Sequence, residues 1–382
     1  MSMEEIDWEE VRRDYPATAN SAYLNSAAAG PVMRQAFEAA ASFYREMMEE
    51  GDARWEEWLE RRERVRERVA RFINAEPEEI AFTTNTSAGM NLIADALMGR
   101  GSVISCDLEF PVSTWPWIHR GCALELIAAR ESGGVIEAED VRRAMTASTG
   151  IISLSHVQFS NGLRAPLEEI GYVKGRHAFV VNASQSAGAL ALDVKRMKID
   201  ALCATGHKWM TAGYGAGFVY LSQELLAETK PRAIGWLSVE DPFRLLYSRD
   251  FRVRDDAAAR AELGCPHFAG IFALGASVGR FLEIGKTDVE ARVLQLNRSL
   301  TEKLREAGRR VLSPLKTEEA RSAQTLVAAS DPGALTEYLF SRGIPVTEKP
   351  EGIRVSTHLF NNEEDIARLI EALGESGMED RG

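Results

Sequence analysis

Apolar runs bounded by polar turns recur through the first two thirds of the chain. They are "EIAFTT" (79–84), "SVISC" (102–106), "ALELIA" (123–128), "GIISLSHV" (150–157), "HAFVVN" (177–182), "IDALCAT" (199–205) and "AGFVYL" (216–221). Several are apolar at nearly every position, the pattern of strands covered on both faces. Between them, "SAGMNLIADALM" (87–98) has helical apolar spacing, and 137–147 and 165–173 also read as helices. Strands alternating with helices predict an α/β domain built on a mostly parallel sheet.

The last third changes character. "FAGIFALGASVGRFLEIG" followed by "VEARVLQLNRSLTEKLREAGRR" predicts a long helix over 268–310. After it, "AQTLVAAS", "GALTEYLFSRG", "IPVTE", "GIRVSTHLF" and "NEEDIARLIEALGES" read as strand, helix, strand, strand and helix, a small α+β unit. We therefore expect a large domain over 16–260 and a smaller C-terminal domain over 261–382, with segment 1–15 packing nearby. The charged stretch 56–75 reads as a helix with a solvated face and a thin apolar stripe.

Composition narrows the partners. The 382 residues, 45% of them hydrophobic, are too many for one small domain. A net charge of -12 repels phosphate backbones and anionic lipid, so neither nucleic acid nor a membrane is expected. The acidic start, "MSMEEIDWEEVRRDYP", has no apolar signal region, and no stretch reaches spanning length without charges. Cys106, Cys122, Cys203 and Cys265 are scattered without a CxxC pair. That suggests reduced thiols in a cytoplasmic protein, and neither a metal cage nor a disulfide framework.

Ligands of open α/β sheets bind beyond the carboxyl ends of the strands, and four such ends carry chemistry. In "FTTNTSAGMN", Thr84, Asn85, Thr86 and Ser87 lead into a helix whose free N–H groups and hydroxyls suit a phosphate. Taken alone, they more often form a plain helix cap with no ligand. In "CATGHKWMTAGYGAGFVYL", Lys208 follows a buried strand between His207 and Trp209. Burial should lower its pKa and make it an imine-forming nucleophile. A snorkelling or ion-paired lysine is the alternative. "VVNASQSAGAL" (180–190) ends a strand on Asn182, with Gln185 one turn on, and Phe110 in "DLEFPVSTWPW" could stack on a flat ring. A phosphate cradle, an imine-forming lysine, a ring-nitrogen partner and a stacking face together suit pyridoxal phosphate.

In their order and spacing these motifs resemble the class V aminotransferase family of fold-type I pyridoxal-phosphate enzymes, a group that includes cysteine desulfurases and isopenicillin N epimerase-like proteins. The likeness runs from "YLNSAAAGPV" (23–32) through "SHVQFSNGLRAPLEEIG", "IGWLSVEDPF" (234–243) and "LGCPHFAGIFALGA" (263–276) to "IRVSTHLFNNEEDIARLIEAL" (353–373). It implies that Lys208 carries the covalent cofactor link, and that Thr86, Ser87, Thr205 and His207 contact the phosphate. It places Gln185 near the ring's phenolic oxygen, Phe110 on the ring face and Asn182 at the ring nitrogen. It gives the substrate's α-carboxylate to Arg354, and sets Asn25, Ala28 and Ala29 at the border of the substrate pocket. It also implies a homodimer acting on a small amino-acid substrate. Cys265 falls where relatives carry a Thr that reaches the neighbouring subunit's cofactor phosphate, and a thiol bonds phosphate poorly.

Relatives place an Asp where Asn182 stands. A carboxylate keeps the pyridine nitrogen protonated and the ring a strong electron sink; an amide does not. That leaves an enzyme with a milder sink, a laboratory Asp→Asn variant, or a degenerate relative that binds cofactor with little turnover. Desulfurases pass sulfur to a cysteine on a loop before the C-terminal strands, but "GIPVTEKPEGIRVS" (343–356) is short and has no Cys. The expectation is thus an aminotransferase-type enzyme, with a C–S lyase or epimerase as the alternative. A nucleotide-binding α/β protein is rejected, because "TTNTSAG" is neither GxGxxG nor a P-loop.

Overall fold

In the computed structural model, which describes residues 6–244 and 251–378, the apolar runs become one seven-stranded sheet. Its strands are β1 (Ile80–Thr83), β2 (Ser102–Cys106), β3 (Leu124–Ile127), β4 (Thr149–Ser155), β5 (Ala178–Asn182), β6 (Ala201–Thr205) and β7 (Gly217–Leu221). Their order is β1-β7-β6-β5-β4-β2-β3. β7 is antiparallel to both β1 and β6, and the remaining pairings are parallel. Every residue of β5, β6 and β7 is buried, which is why these segments are apolar without alternation. Parallel register sets Ser155 beside Asn182 and Asn182 beside Cys203, so the strand ends share one rim.

The helix Thr86–Ala96 returns from β1 across this sheet. A Cβ on Gly89 would stand 2.2 Å from the Cys203 sulfur and 2.8 Å from Val219. Glycine there lets the helix start lie directly on β6 and β7, at the height of the strand ends.

β8 (Gln324–Ala328), β9 (Thr347–Lys349) and β10 (Gly352–Ser356) form an antiparallel sheet in the order β8-β10-β9. The expected long helix over 268–310 is instead two helices, Phe268–Ile284 and Lys286–Glu306, meeting at 83°. Gly285 makes the break with a φ of 101°, a conformation other residues avoid. The first half packs on helices Arg34–Glu50 and Trp55–Ile73, sharing a core with Phe43 and Trp58. The apolar face of 268–284, expected in the smaller domain, packs into the main core. The second half packs on helix Glu363–Glu375, and its Leu296, Leu300 and Leu304 join Val355 and Leu369 in a separate core. Within Trp55–Ile73 the buried stripe includes Trp58, Val65, Val69 and Phe72, together with Arg66, which is buried in a pair with Glu262 at 2.6 Å. Arg12, from the N-terminal segment, pairs with Asp365 at 2.7 Å. Residues 1–5 of that segment, 245–250 of the large domain and 379–382 of the small one lie outside the described residues. No single helix among the described residues is long and apolar enough to cross a membrane.

Candidate active site

A cleft of about 410 Å³ lies where the ends of β4 and β5, the turn after β6 and the start of helix Thr86–Ala96 meet the β9–β10 hairpin. Lys208 enters it from the turn after β6. The Gly30 N–H donates to the His207 carbonyl at 2.8 Å, and the Thr211 N–H to the Lys208 carbonyl at 3.1 Å. A Cβ on Gly30 would stand 2.3 Å from the Lys208 carbonyl, so the N-terminal segment clamps the turn. Buried Thr211 holds a left-handed φ of 51°, a strained conformation of the kind that clusters at functional sites. The Lys208 amine has no hydrogen-bonding partner among the described residues. Burial lowers its pKa to about 8, with the charges of Arg354 and Lys349 adding to the effect.

On one side of Lys208 lies a set of donors. Asn85 caps the helix by accepting from the Ala88 N–H at 2.9 Å, and its carbonyl accepts from Gly89. The Thr86 and Ser87 N–H groups are left without protein acceptors among the described residues. The Thr86 hydroxyl meets that of Ser184 at 2.7 Å. Thr205 does not line the cleft; its hydroxyl bonds His207 Nδ1 at 2.8 Å and orients that ring from behind. Burial, with the Lys208 charge second, lowers the His207 pKa to about 4, so the ring is neutral near pH 7. Tyr214 stacks on it at 4.5 Å.

Joined to these donors through Ser184 is a wall of mostly paired polar groups. A backbone N–H can only donate, so the 3.0 Å bond from Ser184 N–H assigns the Asn182 oxygen. Asn182 Nδ2 then donates to the Ser113 hydroxyl at 3.0 Å. Ser113 meets Ser155 at 3.4 Å, and the Ser155 hydroxyl donates to Glu109 at 2.5 Å. The Glu109 carboxyl also accepts from Gln158 at 2.8 Å, and burial raises its pKa. Two hydroxyls therefore link Asn182 to a buried carboxyl. Gln185 donates to the Ala27 carbonyl at 3.0 Å and accepts from the Trp209 indole at 2.9 Å. Phe110 is 45% exposed, lies edge-on to Phe159 at 5.1 Å, and its ring centre is 5.8 Å from the Lys208 amine.

The C-terminal wall is different. Arg354 on β10 is buried and reaches only the Phe159 carbonyl at 3.3 Å and the Thr347 hydroxyl at 3.2 Å. Its Nε has no partner, and burial lowers its pKa to about 10. Asn25 does not line the cleft. It accepts from the Thr347 hydroxyl and so stands one residue behind Arg354. Ala28 lines the cleft; Ala29 instead offers its carbonyl to the Tyr23 hydroxyl at 2.6 Å. Lys349 lines it too, a residue no sequence motif had singled out, as do Ser184 and Phe159. Strand alternation alone could have paired Lys349 with Thr347, but only the hairpin register turns that face to Arg354.

Exposed Cys265 lines a larger neighbouring cleft of about 580 Å³, together with Gly215 and His267. No cysteine lines the Lys208 cleft. Nor do any three His, Cys, Asp or Glu residues among the described ones form a metal-binding group.

The donor set fits pyridoxal phosphate. Among the described residues the cleft carries Lys208, Lys349 and Arg354 but no carboxylate, with an unpartnered buried Arg354 Nε, two free helix N–H groups and several hydroxyls. Such a donor set suits a phosphate ester and a carboxylate, and Phe110, Asn182 and Gln185 line the same cleft.

Comparison with known proteins agrees. The aminotransferase class-V family pattern matches residues 22–369. A probable cysteine desulfurase of Pyrococcus abyssi is 31% identical, over 78% of this chain and 76% of its own. The isopenicillin N epimerase of Amycolatopsis lactamdurans is 28% identical over 96% of this chain and 97% of its own. The apo cysteine desulfurase structure from Thermococcus onnurineus NA1 superposes with a TM-score of 0.87 at 24% identity, covering 98% of this chain and 99% of that one, a likeness of fold. The chain belongs to the aminotransferase class-V family and is a pyridoxal-phosphate-dependent enzyme of fold type I.

Proposed function

We propose that the protein acts at the Cα–H bond of an α-amino acid, with Lys208 as the proton-carrying residue, and that it transfers the amino group. The observation that carries this reading is the pairing, in one cleft, of an amine with a pKa near 8 and a buried guanidinium without a counter-ion. Arg354 would take the α-carboxylate through its two-pronged face, fixing Cα within reach of Lys208. With its pKa lowered to about 8, the lysine has a far larger neutral fraction near pH 7 than an ordinary lysine and can accept a proton at Nζ, then return it to a neighbouring carbon. Phe110 and Phe159 would cover the reacting bond from water. Neutral His207, with the Thr86 and Ser87 N–H groups and hydroxyls, would hold the cofactor phosphate. Bound pyridoxal phosphate supplies the electron sink for the electron pair left at Cα. Asn182 would meet the ring nitrogen without a full charge, which gives a milder sink than an aspartate would.

Epimerisation is the second reading, favoured by the end-to-end match to isopenicillin N epimerase. A desulfurase relying on a protein thiol is disfavoured, because none of the four cysteines lines the cleft. The test is to incubate the holoenzyme with amino acids in deuterated water, with and without a 2-oxo acid. Cα deuteration should appear with wild type and vanish in Lys208→Ala. Exchange of amino group for oxo group establishes transfer, inverted amino acid establishes epimerisation, and no deuteration with any amino acid rejects the proposal.

A further inference from the structure

Arg354 and the phosphate donors account for two anions, yet the cleft holds another cation. Lys349 ends β9, and in the β9–β10 register Thr347 faces Arg354 while Lys349 faces Gly352. Residues two apart on a strand share a face, so Thr347, Lys349 and Arg354 present their side chains on the same side of the hairpin. Gly352 leaves no side chain opposite the lysine; a Cβ there would stand 1.9 Å from the Val327 carbonyl. The Lys349 amine lies 4.3 Å from the centre of the Phe159 ring, the ring whose backbone carbonyl receives Arg354. It has no hydrogen bond or ion pair among the described residues, and no Asp or Glu lines the cleft. An ammonium free to choose would extend into water or toward a carboxylate. Here the hairpin directs it into a half-buried site beside two other cations. The consequence is a pKa lowered to about 8, by burial first and by Arg354 second, with Glu351 only partly offsetting them.

We propose that Lys349 forms a second anion subsite, one that selects α-amino acids whose side chain carries a negative group such as a carboxylate or sulfonate. This rests on the reading of Arg354 as the α-carboxylate site. With both anions seated, the mutual repulsion of Lys208, Lys349 and Arg354 would be relieved in one step. The Lys349–Phe159 contact would set the polar end of the side-chain pocket, beyond the reacting Cα.

The experiment titrates the holoenzyme's visible absorption band with aspartate, glutamate and cysteate, and with their uncharged counterparts asparagine, glutamine and alanine. Wild type should bind the acidic member of each pair roughly 10- to 100-fold more tightly, as expected for one charge-assisted contact. Lys349→Met should bring that ratio close to one, and Lys349→Arg should restore most of it. The affinity of the apoprotein for pyridoxal phosphate, read by fluorescence, should stay within about twofold in Lys349→Met, since the subsite serves substrate. Equal affinity for acidic and neutral amino acids in wild type would overturn the subsite while leaving the amino-acid reading intact. So would a Met variant that keeps the wild-type ratio. A large loss of cofactor affinity in Lys349→Met would place the amine on the cofactor and also overturn it. A band that no amino acid moves would reject the underlying reading itself.

Discussion

The two walls of the cleft are built on opposite principles. On the sheet side, Asn182, Gln185 and His207 each have a named partner within about 3 Å, His207 through Thr205 behind it, and Glu109 is joined to Asn182 through Ser113 and Ser155. On the hairpin side, Arg354 makes two long bonds and keeps an unsatisfied Nε, and Lys349 meets the Phe159 ring but has no hydrogen bond or ion pair among the described residues. A wall whose polar groups are already paired holds its shape whether or not a ligand is present, and so suits a resident flat cofactor. Unpaired buried cations are costly, and persist where an incoming anion completes them. On the function proposed above, the first wall would serve the cofactor ring and the second the substrate.

The largest effect expected from breaking this contrast lies on the unpaired wall. Arg354→Ala should weaken amino-acid binding by roughly 10- to 150-fold, corresponding to about 1.5–3 kcal/mol for bonds to a charged group. Cofactor affinity should be retained, because Arg354 makes no bond to the Thr86, His207 or Asn182 groups. Titration with amino acid and with cofactor separates the two; equal losses in both would merge the walls into one site. A smaller change is expected on the paired wall. Asn182→Asp would install a carboxylate where the Ser184 N–H already donates and where the Ser113 hydroxyl, now an acceptor, can rotate to donate. It should raise Cα deuterium exchange by roughly tenfold, about one pKa unit of added preference for a protonated ring nitrogen. A rate that stays level or falls would mean that Asn182 does not manage that nitrogen.

The same contrast explains what was legible in the sequence. The paired wall sits at strand ends, and strands covered on both faces announce themselves as apolar runs that stop at a polar residue. Asn182, Thr205 and Lys208 could be read from that signal, as could Thr86 and Ser87 after β1. Arg354 came from likeness to a family rather than from its local pattern. Lys349 stayed hidden because its role depends on the β9–β10 register and on Gly352 opposite, facts of pairing rather than of composition. Glu109 stayed hidden for a similar reason, since its link to Asn182 runs through Ser113 and Ser155 on two different segments. The break at Gly285 was masked by helical apolar spacing that continues on both sides. Only its φ of 101° betrays why a glycine stands there.

The central claim is that Lys208 is buried in a cation-rich cleft that takes anions, and its own proton affinity tests that most directly. In the apoprotein, the rate of acylation of Lys208 by a small neutral reagent can be followed by mass spectrometry of its peptide across pH. The neutral amine is the nucleophile, so the rate should rise tenfold per pH unit below the pKa and level off above it. We expect the plateau to begin near pH 8, the value set by burial with Arg354 and Lys349. In Arg354→Ala the midpoint should move upward. A midpoint near the ordinary lysine value of about 10.4 in the wild-type protein would contradict the account.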